Sequence, residues 1–238
     1  MSKVLVLAQS GFGKSTSIGN SPSIDIEGLP VSSTFIVSVT SKPLPFKGSN
    51  NSYPITSADN LKAGKRVISN NPEQIQNILL SLVSSPFTDI VIDDFNYVMQ
   101  DWYMNNALAK GWDGPKTIGY FMGKIFEAIE ALDRAGKNIY ILAHGESVLQ
   151  PDGRTYMKFK STGKMVDEYL TVEGKVDVVL IGVSRYDSAA KKVVREFLTN
   201  ENEFYSSAKS PIEMFDKNFI PNDLGYVKKQ LESYYNGE

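Results

Sequence analysis

The chain has 238 residues, of which 42% are hydrophobic and 22% are charged, and this size and composition are typical of one globular domain with a sizeable core. The formal net charge of −2 excludes a global positive field, so any contact with DNA or RNA must come from a local patch. The absence of cysteine excludes disulfides and thiolate metal sites. Together with apolar runs too short to span a bilayer, it predicts a cytoplasmic protein with no membrane partner.

Strands and helices are predicted to alternate along the chain. Apolar and β-branched runs predict strands at 3–8, 34–39, 66–69, 89–93, 138–143, 176–183 and 193–198. Helical spacing predicts helices at 71–84, 95–110, 117–135 and from 222 to about 235, with a hairpin-like region at 153–163 and a long loop at 44–63. This order predicts an α/β fold, a mainly parallel sheet between helices in a three-layer sandwich, as a single domain over residues 1–238.

The first strand runs directly into a phosphate-binding motif of the Walker A type, which departs from the usual pattern only in opening on Ala8 instead of glycine. The residues predicted to contact a nucleotide are Ser10, Gly11, Phe12, Gly13, Lys14, Ser15 and Thr16. The glycines allow backbone N–H groups to face phosphate oxygens, Lys14 reaches the β- and γ-phosphates, and Ser15 supplies a hydroxyl to Mg²⁺. A helix is expected to follow the loop and to place the positive end of its dipole near the phosphates. We expect no separate domain before this loop.

Acidic residues follow the buried run at 90–92, and polar residues follow the next strand along the chain. Asp93 stands at the Walker B position and is predicted to hold Mg²⁺. Asp94 is a candidate for orienting the attacking water, and the alternative is that it only caps the following helix. His144, the only histidine, ends the next apolar strand and is a candidate sensor of the γ-phosphate, or a structural residue. Glu146 is a second candidate base.

With these residues in place, the sequence resembles the phage-encoded AAA-type P-loop ATPases of RecA-like build, relatives of the phage single-strand annealing ATPases. The resemblance rests on five stretches in addition to the phosphate loop: 41–47 (Ser-Lys-Pro-Leu-Pro-Phe-Lys), 92–95 (Ile-Asp-Asp-Phe), 143–146 (Ala-His-Gly-Glu), 208–215 and 220–224 (Ile-Pro-Asn-Asp-Leu). It implies a RecA-like fold, the ligands ATP and Mg²⁺, and a role in phage DNA recombination or replication in the host cytoplasm.

The resemblance also implies a homo-oligomer, with phage or host recombination proteins as candidate partners. In such oligomers a basic residue of one subunit reaches the γ-phosphate of its neighbour, and Lys209 is the candidate here. An arginine commonly accompanies such a lysine, whereas this sequence has Pro211. The alternative is that Lys209 is an ordinary surface lysine.

A basic segment free of acidic residues supplies a candidate contact with single-stranded DNA. It contains Arg154, Tyr156, Lys158, Lys160 and Lys164. Alternation around 156–160 predicts a strand with one charged face, on which cations would follow phosphates and aromatic rings would stack on bases. The alternative is a solvated hairpin whose aromatic residues cover the core.

Three function classes therefore stay open. The first is an ATPase that acts on DNA, and the second is a nucleotide-controlled interaction or assembly protein with slow hydrolysis. The third, a small-molecule kinase, is disfavoured because Arg154 and Arg185 are too isolated to form an arginine-rich lid. ATP is favoured over GTP because the sequence has no convincing Asn-Lys-x-Asp motif, and Lys217-Asn218 lacks the required neighbours.

Overall fold

The computed structural model describes residues 2–108, 113–162, 170–189 and 191–237. Within these ranges the strands are β1 (Lys3–Ala8), β2 (Thr34–Ser38), β3 (Arg66–Ile68), β4 (Asp89–Asp93), β5 (Asn138–Leu149), β6 (Thr155–Phe159), β7 (Val178–Asp187), β8 (Lys192–Leu198) and β9 (Phe219–Pro221). The α-helices are α1 (Ser49–Ser52), α2 (Pro72–Leu82), α3 (Tyr97–Asn106), α4 (Gly114–Arg134) and α5 (Leu224–Asn236). Short 3-10 segments lie at Ser15–Ile18, Pro22–Ile24, Leu61–Ala63 and Val172–Lys175.

The strands form one sheet in the order β3-β2-β4-β5-β1-β7-β8-β9, and β6 pairs with β5. Neighbouring strands from β3 to β7 are parallel, whereas β8, β9 and β6 are antiparallel to their partners. The predicted α/β fold with a mainly parallel sheet is therefore confirmed. Because β5 lies between β1 and β4, it brings His144 into register with Ala8 at the end of β1.

Helices cover both faces of the sheet, as the alternation within β1 shows. Leu5 and Leu7 join a core with α2 and α4, while Val4 and Val6 join a second core with α5 on the opposite face. These strand residues are fully buried on both faces, as expected for parallel strands between two helical layers. The predicted three-layer arrangement is therefore present in the described residues.

The predicted helix directly after the phosphate loop is wrong. The chain forms only the four-residue 3-10 segment Ser15–Ile18, and Gly19 then turns to an extended conformation (φ −106°, ψ 158°). Gly19 packs so closely under the ring of Phe46 that even a Cβ atom would collide with it. A segment this short does not provide a helix dipole to stabilise a bound phosphate.

Other predicted elements differ mainly at their ends. β5 continues six residues beyond the predicted end at 143, to Leu149, because it forms an antiparallel hairpin with β6. β7 extends to Asp187, and β9 was not predicted. Helix α3 begins at Tyr97 instead of 95 and ends at Asn106, and Lys110 at the predicted end lies outside the described residues.

Side-chain caps define the start of two helices. The side chain of Asn71 accepts a hydrogen bond from the Gln74 N–H at 3.0 Å, with Pro72 in the first helical turn of α2. Asp223 caps α5 through the Gly225 N–H at 2.8 Å and also accepts from the N–H groups of Glu27 and Gly28. Asp223 thereby fastens α5 to the segment that follows the phosphate loop. Among the described helices, none is both long and apolar enough to cross a membrane.

A buried ion pair holds α5 against the sheet. Asp89 at the start of β4 is fully buried, and Lys228 of α5 donates to both of its carboxylate oxygens at 3.0 Å. Thr88 and Ser33 also donate to Asp89, at 2.9 and 3.1 Å. A carboxylate at this depth requires a cation, because an unpaired buried charge is strongly destabilising.

We expect Lys228→Ala to lower the free energy of unfolding by about 3 kcal/mol, since Asp89 would stay buried without its cation while keeping its neutral donors. The matched control is Lys229→Ala, which removes a cation whose partner, Glu27, is exposed. This control is expected to cost less than about 1 kcal/mol. Equal chemical-denaturation midpoints for the two variants would contradict the assigned role of the Asp89–Lys228 pair.

Candidate active site

The loop between β1 and the first 3-10 segment presents unpaired backbone donors. Gly11 (φ 78°) and Gly13 (φ 104°) both adopt the left-handed region that favours glycine. Among the described contacts, the N–H groups of Gly11, Gly13 and Lys14 have no acceptor. The Phe12 N–H between them donates to the Gln9 carbonyl at 3.4 Å. Free N–H groups in such a loop can form a concave anion-binding site.

Three contacts fix the position of this loop. The Phe12 side chain is buried against Phe197, with ring centroids 5.9 Å apart, so it anchors the loop. Contact of Phe12 with a nucleotide stays a prediction. The side-chain amide of Asn222 donates to the Gly13 carbonyl at 3.1 Å. Ala8 is accommodated because its neighbour on β7 is Gly182, where an added Cβ would lie 2.5 Å from the Ala8 methyl carbon.

Lys14 is buried at the base of the loop. Its Nζ donates to the carbonyls of Ala8 at 3.0 Å and Gln9 at 3.1 Å. Burial lowers the pKa of Lys14 to about 8, against the opposing effect of Asp94 and Asp93. Because its hydrogen-bond acceptors are neutral carbonyls, a phosphate oxygen would be a stronger partner for this ammonium group.

Ser15 and Asp93 meet directly, although they are 78 residues apart in the sequence: the Ser15 hydroxyl donates to Oδ1 of Asp93 at 2.8 Å. Burial raises the pKa of Asp93 to about 6, and the neighbouring Asp94 raises it further, while Ser15, Arg66 and Lys14 oppose the rise.

This spacing fits Mg²⁺. Two adjacent ligands of an octahedral magnesium ion at about 2.1 Å lie about 3 Å apart, close to the distance between Ser15 Oγ and Asp93 Oδ1. No cluster of three His, Asp or Glu side chains able to hold a metal is found within the described ranges. That is compatible with magnesium, which commonly uses one or two protein ligands together with water and phosphate.

Asp94 adopts a left-handed backbone (φ 62°), which is uncommon for a residue with a side chain. Its Oδ2 accepts from the Thr40 hydroxyl at 2.8 Å and lies 3.6 Å from Lys42 Nζ, and its Oδ1 lies 3.6 Å from His144 Nε2. Burial alone would raise the pKa of Asp94, but His144, Thr40 and Lys42 together lower it to about 2. The alternative role as a helix cap is wrong, because α3 begins at Tyr97 and the carboxylate faces these three groups.

His144 lies within β5 instead of at its end, because the strand continues into the hairpin. Its N–H donates to the side chain of Asn96 at 3.1 Å, and its ring meets Tyr97 edge-on at 5.6 Å. Its Nε2 is buried and has no hydrogen bond within the described part of the chain, since the 3.6 Å to Asp94 slightly exceeds hydrogen-bonding distance. The structure thus brings Lys14, Ser15, Asp93, Asp94 and His144 to one end of the parallel strands.

Two other catalytic candidates lie elsewhere. Glu146 is exposed on the β5–β6 hairpin, 3.8 Å from Lys158. Lys209 is exposed, and its backbone pairs with that of Val179 in β7. Because Val179 is in register with Leu5 in the middle of β1, Lys209 lies away from the phosphate loop of its own chain. A role for Lys209 in a neighbouring subunit stays a prediction.

The basic segment predicted to contact DNA forms strand β6, and its predicted alternation is confirmed. Met157 and Phe159 are buried in the core, so Phe159 is not free to stack on a base, while Tyr156, Lys158 and Lys160 occupy the other face. Arg154, just before the strand, is paired with Asp152 at 2.7 Å and Glu201 at 3.0 Å. Lys164 lies outside the described residues. DNA contact by this segment stays a prediction.

Five residues of the site were not assigned a role from the sequence: Thr40, Lys42, Asn96, Arg195 and Asn222. Lys42 and Asn222 lie in the Lys-Pro-Leu-Pro-Phe and Ile-Pro-Asn-Asp-Leu stretches, whose unusual composition was the available signal. Thr40 follows β2, and Asn96 directly precedes α3. Both therefore lie at the edge of the sheet where ligands of α/β proteins bind. Nothing in the sequence distinguishes Arg195 from other residues of a β-hairpin.

A cleft of about 1170 Å³ opens from the phosphate loop on the β8 side. Its walls come from the segment 22–26, from β8 and from β9 with the start of α5. Arg195 lies in the cleft, with its Cδ 3.8 Å from where a Cβ of Gly13 would be, and it has no ion pair or hydrogen bond among the described residues. Asn222 Oδ1, also in the cleft wall, is buried without a partner.

No protein-family model matches the sequence, and no curated protein matches it. Among solved structures, the chain is similar to a KaiC-like protein from the hyperthermophilic archaeon Pyrococcus horikoshii OT3, with 14% sequence identity and a TM-score of 0.45 over 83% of this chain and 78% of that chain. A similarity this distant carries no argument about activity, which rests on the geometry of the loop and the strand ends.

Proposed function

We propose that this protein binds ATP with Mg²⁺ at the loop 10–16 and hydrolyses it. The observation that carries the proposal is the 2.8 Å contact between Ser15 and Asp93, beside a buried lysine and three loop N–H groups that have no acceptor among the described residues. Chain segments that are distant in sequence are brought together to form the two halves of a magnesium–phosphate site.

The cleft beside Gly13 supports a position for the nucleoside. With the terminal phosphates at Lys14 and Asp93, the rest of the nucleotide has to leave the loop away from Asp94, and the cleft lined by Arg195 and Tyr226 is adjacent to it. The unpaired Arg195 guanidinium suits a phosphate oxygen or a base, and the free Oδ1 of Asn222 is an acceptor for a hydroxyl or amino group.

The hydrolytic step follows from the side chains at the strand ends. The loop N–H groups and Lys14 bind the β- and γ-phosphates, and Ser15 and Asp93 hold Mg²⁺, which when bound neutralises charge on the phosphate oxygens. Asp94 accepts a hydrogen bond from water and directs its oxygen at the γ-phosphorus. The new P–O bond forms as the bond to the bridging oxygen breaks, which yields ADP, inorganic phosphate and a proton.

A carboxylate with a pKa of about 2 is a weak base, so Asp94 acts by orienting the water instead of removing its proton early. The hydrogen bond from Thr40 holds the carboxylate in position for this task, and His144 lies beside it at 3.6 Å. The role in phage DNA recombination or replication, and a homo-oligomeric assembly, belong to the same proposal and are supported by the family resemblance alone.

The central test is Lys14→Ala. Loss of the only lysine in the loop should abolish ATP binding in a calorimetric titration with Mg²⁺, because the phosphates lose their charged donor. Thermal unfolding should change little, since the hydrogen bonds of Lys14 to described residues go to two backbone carbonyls. Wild-type affinity in this variant would refute the proposed site.

The DNA branch of the proposal predicts that single-stranded DNA raises the ATPase rate. The double variant Lys158→Ala/Lys160→Ala should weaken DNA binding and lower the slope of log affinity against log salt by about 1.4, as two lost phosphate contacts would. The control is the double variant Lys47→Ala/Lys62→Ala, which removes the same number of positive charges from residues outside the basic segment. If the wild-type protein binds no single-stranded DNA, with or without ATP, the nucleotide-controlled interaction protein becomes the preferred alternative.

A further inference from the structure

The segment between β2 and α1 brings a second lysine to the phosphate end of the site. Lys42 follows Thr40 by two residues, and its Nζ lies 3.6 Å from Oδ2 of Asp94. It is also close enough to Lys14 that its charge contributes to lowering the pKa of that residue, whose main cause is burial. The ammonium groups of Lys14 and Lys42 therefore both act on Asp94, and Lys42 is in direct contact with it.

The backbone of Lys42 is held by a buried arginine. Arg66 of β3 is only 3% exposed, and it donates from Nη2 to the Lys42 carbonyl at 2.5 Å and from Nε to the Ser38 hydroxyl at 2.8 Å. Both acceptors belong to one segment that begins in β2. The nearby Asp93 carboxylate partly compensates the buried guanidinium, and the two hydrogen bonds fix the backbone of Lys42.

The side chain of Lys42, in contrast, is solvated and able to change partner. It is 68% exposed, and its Nζ lies 5.3 Å from the centre of the Tyr97 ring, next to His144. An exposed ion pair of this kind contributes little to stability. Its fixed backbone and mobile ammonium group suit a contact that forms only when an anion arrives.

We propose that Lys42 is a catalytic residue that contacts the γ-phosphate of ATP from within the same chain. This inference rests on the proposed ATP site. In the protein alone Lys42 pairs with Asp94. When the triphosphate binds, the more highly charged phosphate takes over the ammonium group, which leaves the Asp94 carboxylate free to accept a hydrogen bond from water.

This assignment predicts that Lys42 affects the binding of ATP but not that of ADP. ADP lacks the γ-phosphate, so its binding depends on Lys14 and the loop but not on Lys42. A lysine that only supported the fold of its segment would affect ATP and ADP equally.

The test is calorimetric titration with Mg²⁺ of the non-hydrolysable analogue adenylyl imidodiphosphate and, separately, of ADP. Lys42→Ala should weaken binding of the analogue about tenfold or more, as expected for one charge-assisted hydrogen bond, and leave the ADP affinity within about twofold. Lys42→Arg should keep the preference for the triphosphate analogue. Lys47→Ala, which removes an exposed lysine from the same segment, should match the wild type for both ligands.

An equal loss of affinity for both nucleotides, or no loss for either, would overturn the role of Lys42. In both cases the proposed ATP site survives if the wild type binds the two nucleotides and Lys14→Ala loses both. If the wild type binds neither nucleotide, the proposed function and this inference fail together.

Discussion

Two adjacent carboxylates at the end of a buried strand have to be kept apart, and the rest of the site depends on this constraint. Asp93 and Asp94 would repel each other strongly in a medium of low polarity. The left-handed backbone at Asp94 separates them: Asp93 faces Ser15, while Asp94 faces Thr40, Lys42 and His144. Their pKa values diverge accordingly, to about 6 and about 2. Two chemically identical groups thereby become suited to different roles, metal binding and water orientation.

This arrangement costs stability, and the surrounding structure compensates for it. A residue with a side chain in the left-handed region costs about 1–2 kcal/mol. The loop N–H groups that have no acceptor in the described part of the chain add to the cost. The compensation comes from a sheet whose central strands are buried on both faces and from α5, which the pair of Asp89 and Lys228 fastens to the start of β4. Such a balance is expected where strained groups serve a function.

The sequence predicted the sheet well because buried parallel strands leave continuous apolar runs, as in β4, and because caps such as Asn71 act locally. It also predicted which polar residues follow those strands. It could not predict that the chain forms no α-helix directly after the loop, since this depends on the packing of Phe46 on Gly19, two residues that are distant in the sequence. The contacts of Lys42, Arg195 and Asn222 likewise depend on how segments far apart in sequence come together. The sequence also does not predict the extension of β5, because the second half of this strand contains several polar residues and is stabilised by pairing with β6.

The central claim is that the site hydrolyses ATP and does more than bind it, and the single-turnover rate of Asp94→Asn tests this most directly. Asparagine keeps the shape of the side chain and tolerates the left-handed backbone, but it is a poorer acceptor for the attacking water. We predict an affinity for Mg²⁺ and ATP no lower than that of the wild type, measured in the same samples, because Lys42 loses its competing carboxylate partner. The rate of phosphate release should be at least about a hundredfold lower than that of the wild type. Phosphate release at the wild-type rate would contradict the account.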